Sequence, residues 1–244
     1  MQVIIPAAGN GSRFVEGGYA VPKPFIPIKG EPMLARVIES LPVGWLITVV
    51  AREDHVSFYE DLFTNYPEFR HRVHVLALDS PTRGAAETVL QGILSSGYMH
   101  GYQECMVVNC DNLVSVDLDK DFRRHLFGGQ HGILTMHMLN DHKWSYVQYD
   151  RQDGRVSRVA EKEAISDQAT CGFYFFSAIS SLLWAIARMI DLDDRHNGEF
   201  YLAPVYNHLI ERGEVVRMVE IPIAKFHGVG TPEDLQAYER LLGA

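Results

Sequence analysis

Positive charge is what this chain is shortest of: 22 Lys and Arg face 31 Asp and Glu, a formal net charge of −9. Nucleic acids and anionic membranes recruit proteins through broad basic surfaces, so partners of both kinds are excluded. Any phosphate this protein binds must meet a few placed cations, backbone N–H groups or a metal. Long apolar runs are missing as well. Nothing approaches the roughly 20 residues a membrane span needs. The opening run of Val3, Ile4 and Ile5 is cut at Pro6, too early for a secretory signal. Cysteine is scarce: Cys105, Cys110 and Cys171 are odd in number, sit in apolar segments and match no common zinc spacing. Reduced, buried thiols in a cytoplasmic protein are the expectation. The histidines offer no helical i,i+4 pair beside a carboxylate, so His131, His137 and His142 read as ordinary surface or core residues. Repeats, low-complexity tracts and long linkers are also absent.

What is present is alternation. Residues 3–7, 45–51, 73–78 and 105–110 are short apolar runs of the kind buried on both faces of a sheet. Between them, 31–41, 52–63 and 84–94 carry helical spacing, which predicts a mostly parallel sheet with helices on both sides. After about residue 130 the runs shorten and alternate, at 132–139, 145–150 and 155–160, and 169–177 is a further strand. Helices are predicted over 181–190 and 198–213, the second closed by Gly213. A late strand, 215–223, precedes a closing helix in which Thr231 is N-cap and Pro232 takes the first helical position. The 244 residues suffice for one α/β domain, 1–244, with a nucleotide-binding half to about 130 and a more antiparallel half from about 131.

In an open α/β sheet, ligands collect beyond the carboxyl ends of the strands. The first strand arrives there with "AAGNGSR", residues 7–13. Gly9 and Gly11 permit positive φ and let backbone N–H groups approach an anion, while Arg13 adds a planar cation suited to phosphate oxygens. The dinucleotide fingerprint fails, because Phe14 stands where its third glycine belongs, and the Gly-Lys-Ser/Thr ending of a P-loop is missing. A plain structural turn stays open on the loop alone. Lys23, held between Pro22 and Pro24, suits a cation aimed at a ligand, with a solvated lysine as the other reading. "VVNCDNL" (107–113) delivers Asp111 to the sheet's carboxyl edge. A carboxylate there can hold Mg2+ alongside phosphate oxygens and water, or simply make a turn.

Taken together, these segments resemble the sugar nucleotidyltransferase family, the nucleotide-sugar pyrophosphorylases. The opening "PAAGNGSRF…VPKPFIPIKGEPML" is similar to that family's signature. "SPTRGAAETVL" (80–90) is similar to its base-binding loop and "NCDN" to its metal-binding segment. "AEK" (160–162), "TCGFYFF" and "GEFYL" resemble its sugar-phosphate stretches, and "GVGTPEDL" its last landmark. The resemblance runs in order from residue 3 to about 238. It implies a Rossmann-like, mostly parallel mixed sheet flanked by helices, of the nucleotide-diphospho-sugar transferase type. It also implies the reaction of a nucleoside triphosphate with a sugar 1-phosphate to give a nucleotide sugar and pyrophosphate, in the cytoplasm, supplying polysaccharide biosynthesis.

On that resemblance, Arg13 and the amides around Gly9, Gly11 and Ser12 hold the triphosphate tail, and Lys23 reaches the reacting phosphates. Ala8 and Gly84 meet the base and ribose through backbone. Asp111 carries Mg2+. Lys162 holds the sugar phosphate, and Glu161, Gly172 and Glu199 contact sugar hydroxyls. Two departures stand out. Gly228 occupies the position where many relatives place a second metal-binding aspartate. "VEGGYAVPK" is glycine-rich where a firmer loop is usual, which suggests a flap over the triphosphate or an ordinary surface loop. Relatives that transfer to a phosphorylated alcohol, usually with CTP, share the same opening, so a non-sugar acceptor stays open. So does a non-enzymatic sensor of nucleotides or sugar phosphates. An NAD-dependent dehydrogenase is excluded by the missing third glycine. Base and sugar identity are not encoded in any of these motifs. The chain is expected to stand alone as a catalytic domain, and any homo-oligomer forms through that domain's own surface.

Overall fold

The opening apolar run becomes β1 (Gln2–Ala7), and the small residues behind it lead into a short helix, α1 (Ser12–Glu16). A tight hairpin follows, β2 (Pro27–Ile28) and β3 (Glu31–Pro32), turned by Lys29 and Gly30 at φ 52° and 91°. Positive φ at both turn positions is what a two-residue hairpin loop of type I′ requires. Next come α2 (Met33–Ser40), β4 (Leu46–Arg52), α3 (Val56–Asn65), β5 (Val73–Leu78), α4 (Ala85–Ser96), β6 (Cys105–Val108) and β7 (Asn112–Val114). The second half runs β8 (His131–His137), β9 (Tyr146–Tyr149), β10 (Val156–Ala160), β11 (Gln168–Phe176), α5 (Ile179–Asp191), α6 (Val205–Glu211), β12 (Val216–Ile221), β13 (Phe226–Gly228) and α7 (Pro232–Leu242). This computed structural model describes residues 1–97, 99, 101–126 and 128–243.

The main sheet has the order β10-β9-β11-β6-β1-β4-β5, with β8 pairing both β11 and β12. β1, β4, β5 and β6 run parallel, with Ile4 between Thr48 and Val107. β11 is antiparallel to β6, β8 and β9, while β12 returns parallel to β8. So the expected division into a parallel half and a more antiparallel half is present, with β12 as its one parallel member. β1 shows why the sheet needs two helical layers. Val3, Ile5 and Ala7 join a core with Met33, Leu34 and Ile38 of α2, while Ile4 joins a second core with Val89 and Ile93 of α4. Successive side chains of a strand point to opposite faces, so a run apolar at every position must be covered twice. Each such side chain contributes about 1.5–3 kcal/mol when fully buried.

One element differs from the sequence reading. The helix expected over 198–213 begins only at Val205. Before it, Asn197 (φ 49°) and Gly198 (φ 82°) make a second two-residue turn, across which His196 and Glu199 exchange both backbone hydrogen bonds at 3.0 Å. Left-handed turn residues outweigh helical spacing there. Gly213, at φ 87°, does close the helix, its N–H donating to Ile210 O at 2.9 Å. The closing helix starts as expected, with Thr231 Oγ1 accepting from Asp234 N–H at 3.2 Å and Pro232 next to it. The glycine-rich stretch after Arg13 is tied down: Phe14 is fully buried, Tyr19 packs edge-on against it, and a Cβ on Gly17 would lie 3.0 Å from Pro232. Among the described residues, no helix is long and apolar enough to cross a membrane.

Candidate active site

A cleft of about 380 Å3 opens at the carboxyl ends of β1 and β6 and continues between the two halves of the sheet. Its walls include Ala8, Gly9, Gly11, Arg13, Lys23, Gly84, Asp111, Glu161, Lys162, Gly172 and Glu199. Ser12 is the exception among the sequence candidates: as first residue of α1 it is exposed and lies off the lining.

The first end of the cleft is made of loops. Gly11 sits at φ 60° where α1 begins, and a Cβ there would press on Lys23 Cβ at 3.1 Å. Gly9 differs from expectation, since it lies outside the positive-φ region and simply opens onto free space. Arg13 is exposed on the cleft wall, and among the described residues its guanidinium has no hydrogen-bond or ion-pair partner. Lys23 follows Pro22 in extended backbone and opens a one-turn 3-10 segment with Pro24. Its Nζ donates to Asp111 Oδ2, and about a fifth of each side chain remains exposed. Burial pushes the Lys23 ammonium down, but the Asp111 charge and hydrogen bond outweigh it, so the amine is held above its usual range. Cys110, next in line, has its thiol pushed up to about 11 by burial, so it is protonated at neutral pH and no nucleophile.

Gly84 has φ 137°, and a Cβ there would sit 2.5 Å from Phe200 O. Its close neighbour is thus the protein's own backbone. Phe200 N–H donates to Arg83 O at 2.8 Å and Ala86 N–H to Phe200 O at 3.0 Å, which docks the Glu199 turn onto the start of α4.

The second end is made of paired side chains. Glu161 is buried and accepts a hydrogen bond from Ser145 Oγ. Burial pushes its carboxyl above the ordinary range, with Ser145 and Lys162 pulling the other way. Lys162 adopts φ 57°, a costly conformation for a residue with a side chain, and its backbone N–H donates to Trp144 O at 3.1 Å. Its Nζ donates to Tyr201 OH at 2.7 Å and lies 4.7 Å from that ring's centroid. Gly172, at φ 77°, is a bulge in β11 where the register against β8 shifts. A Cβ there would overlap Asn112 Nδ2 at 2.1 Å and Asn109 Nδ2 at 2.7 Å. Asn112 Nδ2 in turn donates to Cys171 O at 2.9 Å. The 109–112 turn therefore joins the two ends, with Asp111 on Lys23 and its two asparagines against Gly172.

Sequence reasoning missed Asn112, Ser145, Trp144, Tyr201 and Lys143. Asn112 was visible inside "NCDN". Tyr201 was likewise inside "GEFYL", while Lys143, Trp144 and Ser145 form one short stretch before β9 that carries no motif. Lys143 Nζ binds Asp234 Oδ1 at 3.0 Å across the rim. The indole of Trp144 fills the space beside Gly228, where a Cβ would lie 2.8 Å from Trp144 Cη2. For a metal, Asp111 is a hard oxygen donor on the cleft wall beside Lys23. Among the described residues no group of three or more His, Cys, Asp or Glu side chains could hold an ion. The donor set fits a cation bound chiefly by phosphate oxygens and anchored by one carboxylate.

A mostly parallel mixed sheet flanked by helical layers is the fold of nucleotide-diphospho-sugar transferases. The chain belongs to the family of MobA-like NTP transferase domains, whose model matches residues 3–151. A nucleoside-diphosphate-sugar pyrophosphorylase from Vibrio cholerae superposes with a TM-score of 0.84 at 24% identity, covering 98% of this chain and 99% of that one. A UDP-glucose pyrophosphorylase complexed with UDP-glucose gives 0.79 at 15% identity over 99% and 97%. The inositol-1-phosphate CTP transferase from T. maritima gives 0.73 at 15% over 99% and 94%. At these identities the likeness is one of fold. No curated protein matches the chain in sequence.

Proposed function

We propose that this nucleotidyltransferase joins a nucleoside triphosphate to a sugar 1-phosphate, releasing a nucleotide sugar and pyrophosphate. The observation that carries the reading is the union of two unlike ends in one cleft: Arg13, Lys23 and the glycine loop at one, Glu161, Lys162 and Glu199 at the other. A phosphate oxygen of the acceptor attacks the α-phosphorus, a new P–O bond forms, and the bond to the β-phosphate oxygen breaks as pyrophosphate leaves. No covalent protein intermediate is needed, so the protein's work is to position two anions and neutralise developing charge.

Arg13 and the amides of residues 9–11 hold the triphosphate tail and departing pyrophosphate. Lys23, kept protonated by Asp111, faces the reacting phosphates. Lys162 takes the acceptor phosphate, while Glu161, Glu199 and the Gly172 backbone meet its hydroxyls. Asp111 would hold Mg2+ delivered with the nucleotide, and that ion supplies charge neutralisation and a template for the phosphates. The fold shared with sugar pyrophosphorylases supports the sugar reading, and two carboxylates at the acceptor end suit a polyhydroxyl ligand. The setting we infer is the cytoplasm, in nucleotide-sugar supply.

The test is pyrophosphate release with Mg2+, the four ribonucleoside triphosphates plus dTTP, and a panel of sugar 1-phosphates. Release that needs one nucleotide and one sugar phosphate, and falls on the order of 10^2-fold or more in Asp111→Ala and Lys23→Ala, is the expected result. Release only with inositol phosphate or phosphocholine would move the acceptor class. Nucleotide binding with no release from any acceptor would make the protein a sensor.

A further inference from the structure

Gly230 lines the cleft, yet its backbone does not demand glycine, for it is not among the residues with positive φ. What excludes a side chain there is Asp111. A Cβ at 230 would lie 2.6 Å from Asp111 Oδ2, 3.4 Å from its Cγ and 3.9 Å from Lys23 Nζ. The backbone at 230 is also fixed on both sides. Val229 N–H donates to Asp111 O at 2.8 Å, and Gly228 pairs with Asn112 in the β13–β7 ladder. On the other side, Thr231 caps α7. Asp111 itself is anchored through the same Val229 bond, so a methyl group at 230 has one soft neighbour to displace: the Asp111 carboxylate, away from Lys23.

We propose that Gly230 is a positioning residue, whose missing side chain lets the Asp111 carboxylate sit against the Lys23 ammonium in the cleft. Its functional consequence rests on the nucleotidyltransferase reading, since that reading gives Lys23 and Asp111 their work. The steric relation does not. Gly228 supplies a matched control two residues away. A Cβ there would meet Trp144 at 2.8 Å, and Asp111 is not among its nearest atoms.

The decisive measurement is a double-mutant cycle in urea, with Gly230→Ala made in the parent and in Asp111→Ala. The folding constant is expected to fall about tenfold or more in the parent, but less than about threefold once the carboxylate is gone. Gly228→Ala is expected to cost the same in both backgrounds. Equal losses for Gly230→Ala in both backgrounds would overturn the proposal, because the methyl group would then clash with something else. If Gly230→Ala alone does not fold, a folded double variant supports the proposal, and a double variant that fails where Asp111→Ala folds overturns it. Calorimetry with Mg2+ and inorganic pyrophosphate separates this from the function. Gly230→Ala is expected to weaken pyrophosphate about tenfold in the parent and no further in Asp111→Ala. A folded parent that binds no pyrophosphate would count against the nucleotidyltransferase reading and leave the positioning role to the urea cycle.

Discussion

At the first end of the cleft, the lining groups come from the segments that follow β1 and β6, and Arg13, in α1, is exposed without a partner among the described residues. At the other end, Glu161, Lys162 and Asn112 are each bound to another protein group, Lys162 adopts backbone that costs energy to hold, and Gly172 takes a left-handed φ that only glycine adopts freely. The first end keeps one cation in reserve, whereas the second is held by an internal network before any ligand arrives. On the proposed reading the reserve suits a charged phosphate and the network suits neutral hydroxyls, where geometry does what charge does elsewhere.

On that contrast, Gly172 at the second end is expected to matter for stability, and the partnerless Arg13 at the first end for binding alone. The largest expected effect is Gly172→Ala. A Cβ overlapping Asn112 Nδ2 at a φ of 77° is expected to cost about 3 kcal/mol or more in chemical denaturation. A loss under about 1 kcal/mol would show that the bulge relaxes and that the second end is not rigid. Arg13→Ala is expected to weaken Mg2+–triphosphate binding about tenfold by calorimetry while shifting stability by less than about 0.5 kcal/mol. A clear drop in stability would mean the arginine is structural after all.

The smallest effect concerns Glu161→Gln. Burial raises the folded-state pKa of Glu161 above that of the unfolded chain. Its favourable contribution is therefore complete below the ordinary carboxylate pKa of about 4.3 and is lost as pH rises through the raised value. Relative to the parent, the Gln variant is expected to gain in Tm as pH rises above the ordinary carboxylate range. It should also raise the KM for the acceptor and leave that for the nucleotide unchanged. A Tm difference that does not vary with pH would show that Glu161 is not held charged against its burial.

The first end was legible in the sequence because its groups are neighbours along the chain: residues 8–13 lead from β1 into α1, and Lys23 is flanked by the prolines at 22 and 24. Asp111 was legible because it follows a buried strand. The second end was legible only through resemblance, and then in part. Trp144 and Ser145 have ordinary local sequences, and Tyr201 stood unremarked inside "GEFYL". They matter because β9, the 161–162 turn and the 196–201 segment converge there. The same convergence explains Gly84, whose space is filled by the backbone of Phe200, 116 residues onward in sequence position if counted from 84 to 200. It explains as well why 198–204 is not helix. Helical spacing of apolar residues is a weak preference, and the Asn197-Gly198 turn docked on α4 outweighs it.

By itself, then, the sequence determined the alternation of strands and helices, the parallel character of the first half and the glycine loop that lines the cleft. Periodicity and turn chemistry are local properties, set within a few residues of one another. Only the tertiary structure decided that Lys23 is tied to Asp111, that Gly230 leaves room for that contact, and that Trp144 stands beside Gly228. Those are close approaches between segments far apart in the chain. They depend on where packed layers bring backbones together, a distance that no single stretch of sequence specifies.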